Sequence, residues 1–230
     1  MRITIITLFP EMFDSVFSSS ILKRAQSQKK IEIKIVNLRD FGIGRHKLVD
    51  DKPYGGGVGM LLRVDVLDRA IKAVKNRGKN QKVILLDPKG EKYNQGIAEK
   101  LVNATNIILI CGHYEGYDER VRKLVDMEIS IGDYITSGGE IPAMVVVESV
   151  ARLIPGVLIK KEAVMYESFS KNSLGRRLEH PHYTRPQTYK NMTAPKELLS
   201  GNPQIVDAFR NKEADKITKK RRPEMLKRQK

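Results

Sequence analysis

The chain of 230 residues contains one cysteine, Cys111. No internal disulfide framework is possible, and a reducing cytoplasm is the expected compartment. Cys111 sits in the apolar run NIILIC and reads as a small buried hydrophobe; a catalytic thiol needs an electropositive, partly open setting. No stretch reaches the roughly 18 apolar residues of a membrane-spanning helix. The opening MRITIITLFPEMF lacks a small-residue cleavage site and reads as a first strand, not a signal peptide. Neither G-x-x-x-x-G-K-[ST] nor G-x-G-x-x-G occurs, which argues against a P-loop and against the usual dinucleotide fingerprint. His113, His180 and His182 lack the spacing of zinc ligands. No internal repeat is visible.

What is abundant is positive charge. The net formal charge is +15, and it is unevenly spread. It comes to +5 over residues 1–159, +3 over 160–209 and +7 over 210–230, where ten basic residues face three acidic ones. A C-terminal concentration of this kind suggests a polyanionic partner, nucleic acid above all. A solvated basic tail kept for solubility is the plainer alternative.

Periodicity organises the rest. RITIIT (2–7), IEIKIVN (31–37), KVILLD (82–87), NIILIC (106–111) and MEISIG (127–132) read as strands. Pro10 should open one continuous helix through EMFDSVFSSSILKRAQ, and Asp65 should cap a second over VLDRAIKAVKN. PKG after 87 reads as a turn, with further helices from about Asn94 to Val102 and over 141–155, while HYEGYDERVRKLV reads as a loop running into a helix. Strands alternating with helices argue for a parallel sheet covered by helices on both faces. Residues 38–62 form a long polar, glycine-rich loop. Residues 159–175 read as a flexible linker and 176–230 as a small, basic α-helical domain, after an α/β domain over 1–158.

In parallel sheets ligands sit beyond the carboxyl ends of the strands. Three loops fall there, LLDPKG, CGHYEG and GDYITSGGE, and they could converge on one pocket. Glycine lets main-chain N–H and C=O groups touch a ligand, which would suit adenine and ribose. The glycines of YGGGVGM (54–60) are weaker evidence, since no helix follows at once.

The segments VDDKPYGGGVGM, ICGHYEGYDERV, EISIGDYITSGGEIPAM, RLIPGVL and PHYTRP, in that order over nearly the whole chain, resemble the bacterial tRNA (guanine-N1)-methyltransferases. The resemblance implies a SPOUT-class α/β fold with a deep trefoil knot and an obligate homodimer whose active sites use both chains. It also implies S-adenosylmethionine as donor, a response to magnesium, and methylation of guanine 37 beside the anticodon. Carried over, the cofactor pocket would comprise Leu85, Leu86, Asp87, Pro88, Gly112, Glu115, Gly116, Ile131, Gly132, Asp133, Tyr134, Ile135, Thr136, Gly138, Gly139 and Pro142. Gly138 and Gly139 would leave room for the cofactor. Asp50, Gly55, His182, Tyr183 and Arg185 would bind the substrate.

Methylating N1 requires a base for its proton and a cation or N–H donor facing O6. The family's base is an aspartate just before PHYTRP; the matching position is Glu179, one methylene longer. Arg152 matches the arginine that stabilises O6. On bare sequence Glu179 could equally pair with Arg176 or Arg177, and Arg152 could satisfy a helix C-terminus. His180 is a competing base, and Asp50 could cap a turn. The helix over 141–153 suits either a dimer interface or plain core burial. Lys160, Lys161, Arg210, Lys219, Lys220, Arg221 and Arg222 would hold phosphates. A non-catalytic RNA-binding module, and a related methyltransferase acting on ribose or another base, are the competing functions.

Overall fold

A computed structural model describes residues 1–76, 78, 80–160, 163–172 and 175–226. The chain separates into two compact units, Met1–Ile159 and Lys160–Lys230.

The first unit is built on five parallel strands: β1 (Arg2–Thr7), β2 (Glu32–Asn37), β5 (Gln81–Lys92), β6 (Asn106–Cys111) and β7 (Met127–Ser130). They lie in the order β2-β1-β6-β5-β7, in register from Arg2 beside both Glu32 and Asn106. Two shorter strands, β3 (Asp50–Asp51) and β4 (Leu61–Leu62), pair antiparallel across the glycine-rich loop.

Side chains alternate across this sheet, as the two-residue period of a strand requires. Ile107, Leu109 and Cys111 of β6 enter one core, with Phe13, Leu22 and Val147. Ile108 and Ile110 enter the other, with Leu67 and Ala70. The first core lies under α1 (Asp14–Phe17), α2 (Ser20–Ser27), α4 (Gln95–Leu101) and α5 (Glu140–Ala151); the second lies under α3 (Val64–Val74). Helices therefore cover both faces.

Several local expectations change. The helix expected from Pro10 breaks into a 3-10 turn (Pro10–Phe13), α1 and α2. Ser20 carries a positive φ of 47°, a conformation that no helix interior holds. Arg63 is the residue before α3, so Asp65 lies in its first turn and is not its cap. PKG is no turn: β5 runs on to Lys92, and its register against β7 shifts between Leu86 and Glu91. That shift marks a bulge, an extra stretch of chain that re-aims side chains. The helix into which HYEGYDERVRKLV is expected to run is a 3-10 turn over Glu119–Leu124.

The second unit contains α6 (Ala163–Tyr166), a hairpin of β8 (Lys171–Asn172) and β9 (Gly175–Arg176), and a hairpin of β10 (Thr188–Tyr189) and β11 (Met192–Thr193). A 3-10 turn (Lys196–Leu199) and α7 (Pro203–Arg221) follow. The expected linker thus carries α6 and part of a hairpin among its described residues; Lys161, Glu162, Ser173 and Leu174 fall outside them. α7 starts at Pro203 with the Asn202 side chain accepting from the Gln204 amide, and ends on Lys219, Lys220 and Arg221. Those are the residues a helix start and a helix end favour.

Candidate functional site

At the bulge of β5 and beyond the carboxyl ends of β6 and β7 the three expected segments meet around a cavity of about 370 Å³. Leu86, Asp87 and Pro88 form one wall, Gly112, Glu115 and Gly116 a second, and Ile131, Gly132, Tyr134, Ile135, Thr136, Gly138, Gly139 and Pro142 a third. Two residues expected with them stand apart. Leu85 is fully buried in the core under α3, because strand alternation turns it away from its neighbours' side. Asp133 is exposed and pairs with Lys92 at 2.5 Å.

Close approach explains one glycine. Gly139 donates its amide to the Gly112 carbonyl at 2.8 Å, and a Cβ on it would lie 2.6 Å from the Cys111 Cα. Glycine is needed there so that the turn before α5 can press against the end of β6.

Residues not singled out from the sequence also shape the wall. His113 lines the cavity between the Phe9 and Tyr114 rings, at centroid distances of 4.8 and 5.1 Å. Its Nδ1 is shielded from solvent and has no hydrogen-bond partner among the described residues. Tyr117 donates its hydroxyl to the Leu86 carbonyl. Burial, with the Asp87 charge adding to it, pushes that phenol far above its ordinary pKa, so it stays a donor. Arg122 reaches Asp87 Oδ2 at 3.0 Å and Glu119 Oε1 at 2.7 Å, and also contacts Glu128. Burial alone would lower the guanidinium pKa, but the Glu119 hydrogen bond and the Asp87 charge raise it overall. Burial also raises the Cys111 thiol well above its usual range, with the Glu140 charge adding to it, which leaves no thiolate for nucleophilic work.

The glycine-rich loop is rooted beside the cavity. Glu115 donates its amide to the Met60 carbonyl, and Leu62 donates to the Gly116 carbonyl. Asp50, on β3, is half-buried. Gly55, Gly56 and Gly57 have φ values of +85°, +81° and +127°, which non-glycine residues adopt only under strain. Tyr54 at its tip is 99% exposed. Arg152 is half-buried and directly follows α5 as its C-cap residue.

In the second unit Glu179 Oε1 lies 2.6 Å from His182 Nε2, and the His180 and His182 rings approach to 4.5 Å. The Glu179 amide donates to Ser168 Oγ at 3.0 Å. Arg177 is engaged elsewhere, with Asp215 at 2.9 Å and with Asn211. Tyr183 and Arg185 are exposed. Lys219, Lys220, Arg221 and Arg222 gather at the end of α7 and are exposed too. Among the described residues no three His, Cys, Asp or Glu side chains group as metal ligands. No described helix is long and apolar enough to cross a membrane.

The fold and the cavity together define an α/β protein with a cavity of small-ligand size where segments following β6 and β7 meet the bulge of β5. Sequence comparison narrows the class. The profile of the family described as tRNA (Guanine-1)-methyltransferase TrmD matches residues 1–228, and the chain belongs to that family. The tRNA (guanine-N(1)-)-methyltransferase of Listeria welshimeri is 47% identical over 230 residues, covering 99% of this chain and 92% of its own length. Those of Anoxybacillus flavithermus and Geobacillus kaustophilus are each 49% identical, covering 98% of this chain and 91% of their own lengths.

Proposed function

We propose that the protein transfers a methyl group from S-adenosylmethionine to N1 of guanine 37 in tRNA, in the cytoplasm. The cavity at the strand ends carries this reading. Its volume falls within the roughly 300–1,000 Å³ of small-molecule sites. Its wall offers main-chain groups of the 86–88, 112–116 and 131–139 segments, together with the unpartnered His113 Nδ1. Such a lining fits an adenosine-type ligand. When bound, the cofactor supplies an electrophilic methyl on a sulfonium.

The remaining chemistry belongs to the chain. Glu179 takes the N1 proton, and His182 holds its carboxylate. Arg152 faces O6 as negative charge develops there. His182, Tyr183 and Arg185 hold the splayed anticodon loop, since a target base must leave its stack to react. Asp50 and the loop carrying Gly55 shape the guanosine site. The second unit, which carries two hairpins besides its helices, grips phosphates through α7. We assign no protein side chains to magnesium.

Two architectural features complete the proposal. The first is a trefoil knot: after β7 at the sheet edge, the chain returns past the end of β5, and Gly139 bonds Gly112 beyond β6. The second is a homodimer with shared active sites. Ile141 and Val145 on α5 leave apolar surface exposed, as do Met12 on the 3-10 turn packed against α5 and Val16 on α1.

The test is to incubate the protein with labelled cofactor and unmodified tRNA carrying guanine at 36 and 37, then map the methylated atom. Label on N1 of guanine 37 is expected; label on ribose, or none, refutes the reading and favours a relative or a binding module. Glu179→Gln should lower kcat by about 10²–10⁴, the usual contribution of a general base, with cofactor affinity nearly unchanged. Glu167 adjoins Ser168, whose Oγ accepts from the Glu179 amide, and is the alternative carboxylate to test. Loss of turnover in Glu167→Gln alone would move the base to Glu167.

A further inference from the structure

The cavity wall carries more negative charge than its own packing needs. Arg122 is the only guanidinium among its lining residues, and three carboxylates surround it: Asp87, Glu119 and Glu128. The Asp87 side chain is 8% exposed and that of Arg122 19%. Glu115 adds a further carboxylate to the lining and Lys89 the only ammonium. Three lining carboxylates, Asp87, Glu115 and Glu119, therefore face two cations, and Glu128, which does not line the cavity, adds its charge beside Arg122; this is a local excess of acid inside a chain whose net charge is +15. One carboxylate would satisfy the Arg122 charge. A second and a third bring mutual repulsion, and a buried ion pair is weak evidence of a purely stabilising role. Clefts with low-dielectric walls focus such fields onto what they bind.

We propose that this acidic wall, with Asp87 and Arg122 as its determinants, makes the cavity select ligands by charge: it holds a cationic sulfonium donor in preference to the neutral thioether left after transfer. The inference rests on the cofactor reading above. In the reaction the S–CH3 bond breaks and its electron pair stays on sulfur. The N1–CH3 bond forms from the nitrogen lone pair, and the N1 proton goes to the general base. The ligand in the cavity thus loses one positive charge as the methyl leaves, so the same wall that favours the donor loosens its grip on the product.

The two determinants act with opposite sign, which separates charge selection from scaffolding. Isothermal titration of the full-length protein with S-adenosylmethionine and with S-adenosylhomocysteine gives the ratio of the two affinities without any turnover. Asp87→Asn should shift that ratio toward the thioether by about tenfold, the size expected for one unit charge at a partly screened site. Arg122→Gln should shift it toward the sulfonium by a similar factor. Glu119→Gln lies at an exposed position and keeps the test open should a buried variant not fold; its shift should run the same way as that of Asp87→Asn and be smaller, about threefold. Ratios unchanged in Asp87→Asn and Glu119→Gln, or shifts of the same sign in Asp87→Asn and Arg122→Gln, overturn the proposal. Failure of the unaltered protein to bind either ligand instead overturns the cofactor reading on which it stands.

Discussion

Among the described residues the buried apolar ones lie between Ile3 and Val157, with the single exception of Ala214, although residues 160–230 are nearly a third of the chain. The first unit has a core on each face of its sheet. The second holds its described parts together through polar contacts. Arg177 reaches Asp215 and Asn211, the Leu178 amide donates to Thr218 Oγ1, and Arg222 lies over the Phe169 ring. Hydrophobic burial dominates folding stability, and segments of this size without a core are marginal alone. The first unit is specified by what it hides, the second by what it leaves free. Its long helix spends its length on exposed lysines and arginines, which serve a partner better than a core.

The sharpest way to break this contrast is to cut a large side chain from each unit. Ile108 is fully buried between β1 and β5. Ile108→Ala should destabilise the protein by about 2–5 kcal/mol, the loss of buried methyl groups plus the cavity they leave. Ile205, on α7, is 45% exposed. Ile205→Ala should change stability by no more than about 0.5 kcal/mol. Urea unfolding of both variants measures the difference, and equal losses would mean that the second unit hides a core after all.

The same contrast decides what could be read ahead of the structure. β1, β2 and β6, with α3 and α4, announced themselves through apolar period and end residues such as Asn94, whose side chain accepts from the Ile97 amide. Contacts between distant segments did not. The bulge at Asp87–Gly90 depends on β7 lying alongside, and the need for glycine at 139 depends on Cys111, 28 positions earlier in the chain. Arg122 lay in YDERVRKLV, read only as a loop entering a helix; its three acidic partners come from different elements. The Glu179–His182 pair was visible as a spacing of three residues, yet neither residue alone pointed to the other. In the second unit apolar period had little to report, because few side chains are buried there, and charge was the stronger signal. Most of the candidate site came from motif resemblance, whose glycines and prolines mark main-chain geometry and carry little chemistry of their own.

If the second unit is kept for phosphates, its charges should show in salt dependence and not in folding. Lys220 is exposed near the end of α7. Lys220→Ala should weaken tRNA binding for every sequence alike and reduce the slope of log K against log salt by about one. Lys72, on α3, is tied to Asp68 at 2.6 Å, and Lys72→Ala should leave the slope where it was. A titration of tRNA binding at several salt concentrations checks both, and an equal drop for the two variants would spread the RNA footprint across both units.

The smallest effect concerns acid. In the first unit the hydrogen bond from Arg120 holds the Asp118 carboxyl below its usual range, and burial only partly opposes it. The hydrogen bond from Arg63 does the same for Asp65. A carboxyl whose pKa is lower folded than unfolded binds fewer protons in the native state. Its contribution is therefore complete above the unfolded value and fades as pH falls through the folded one. Asp118→Asn should cost only a little stability at neutral pH, because the Arg120 side of the pair is exposed to solvent. It should flatten the decline of stability below about pH 4. Denaturant midpoints measured between neutral pH and acid give the slope. A decline as steep as in the unaltered protein would place the acid sensitivity outside this pair, and the carboxylates around Arg122 would be the next to replace.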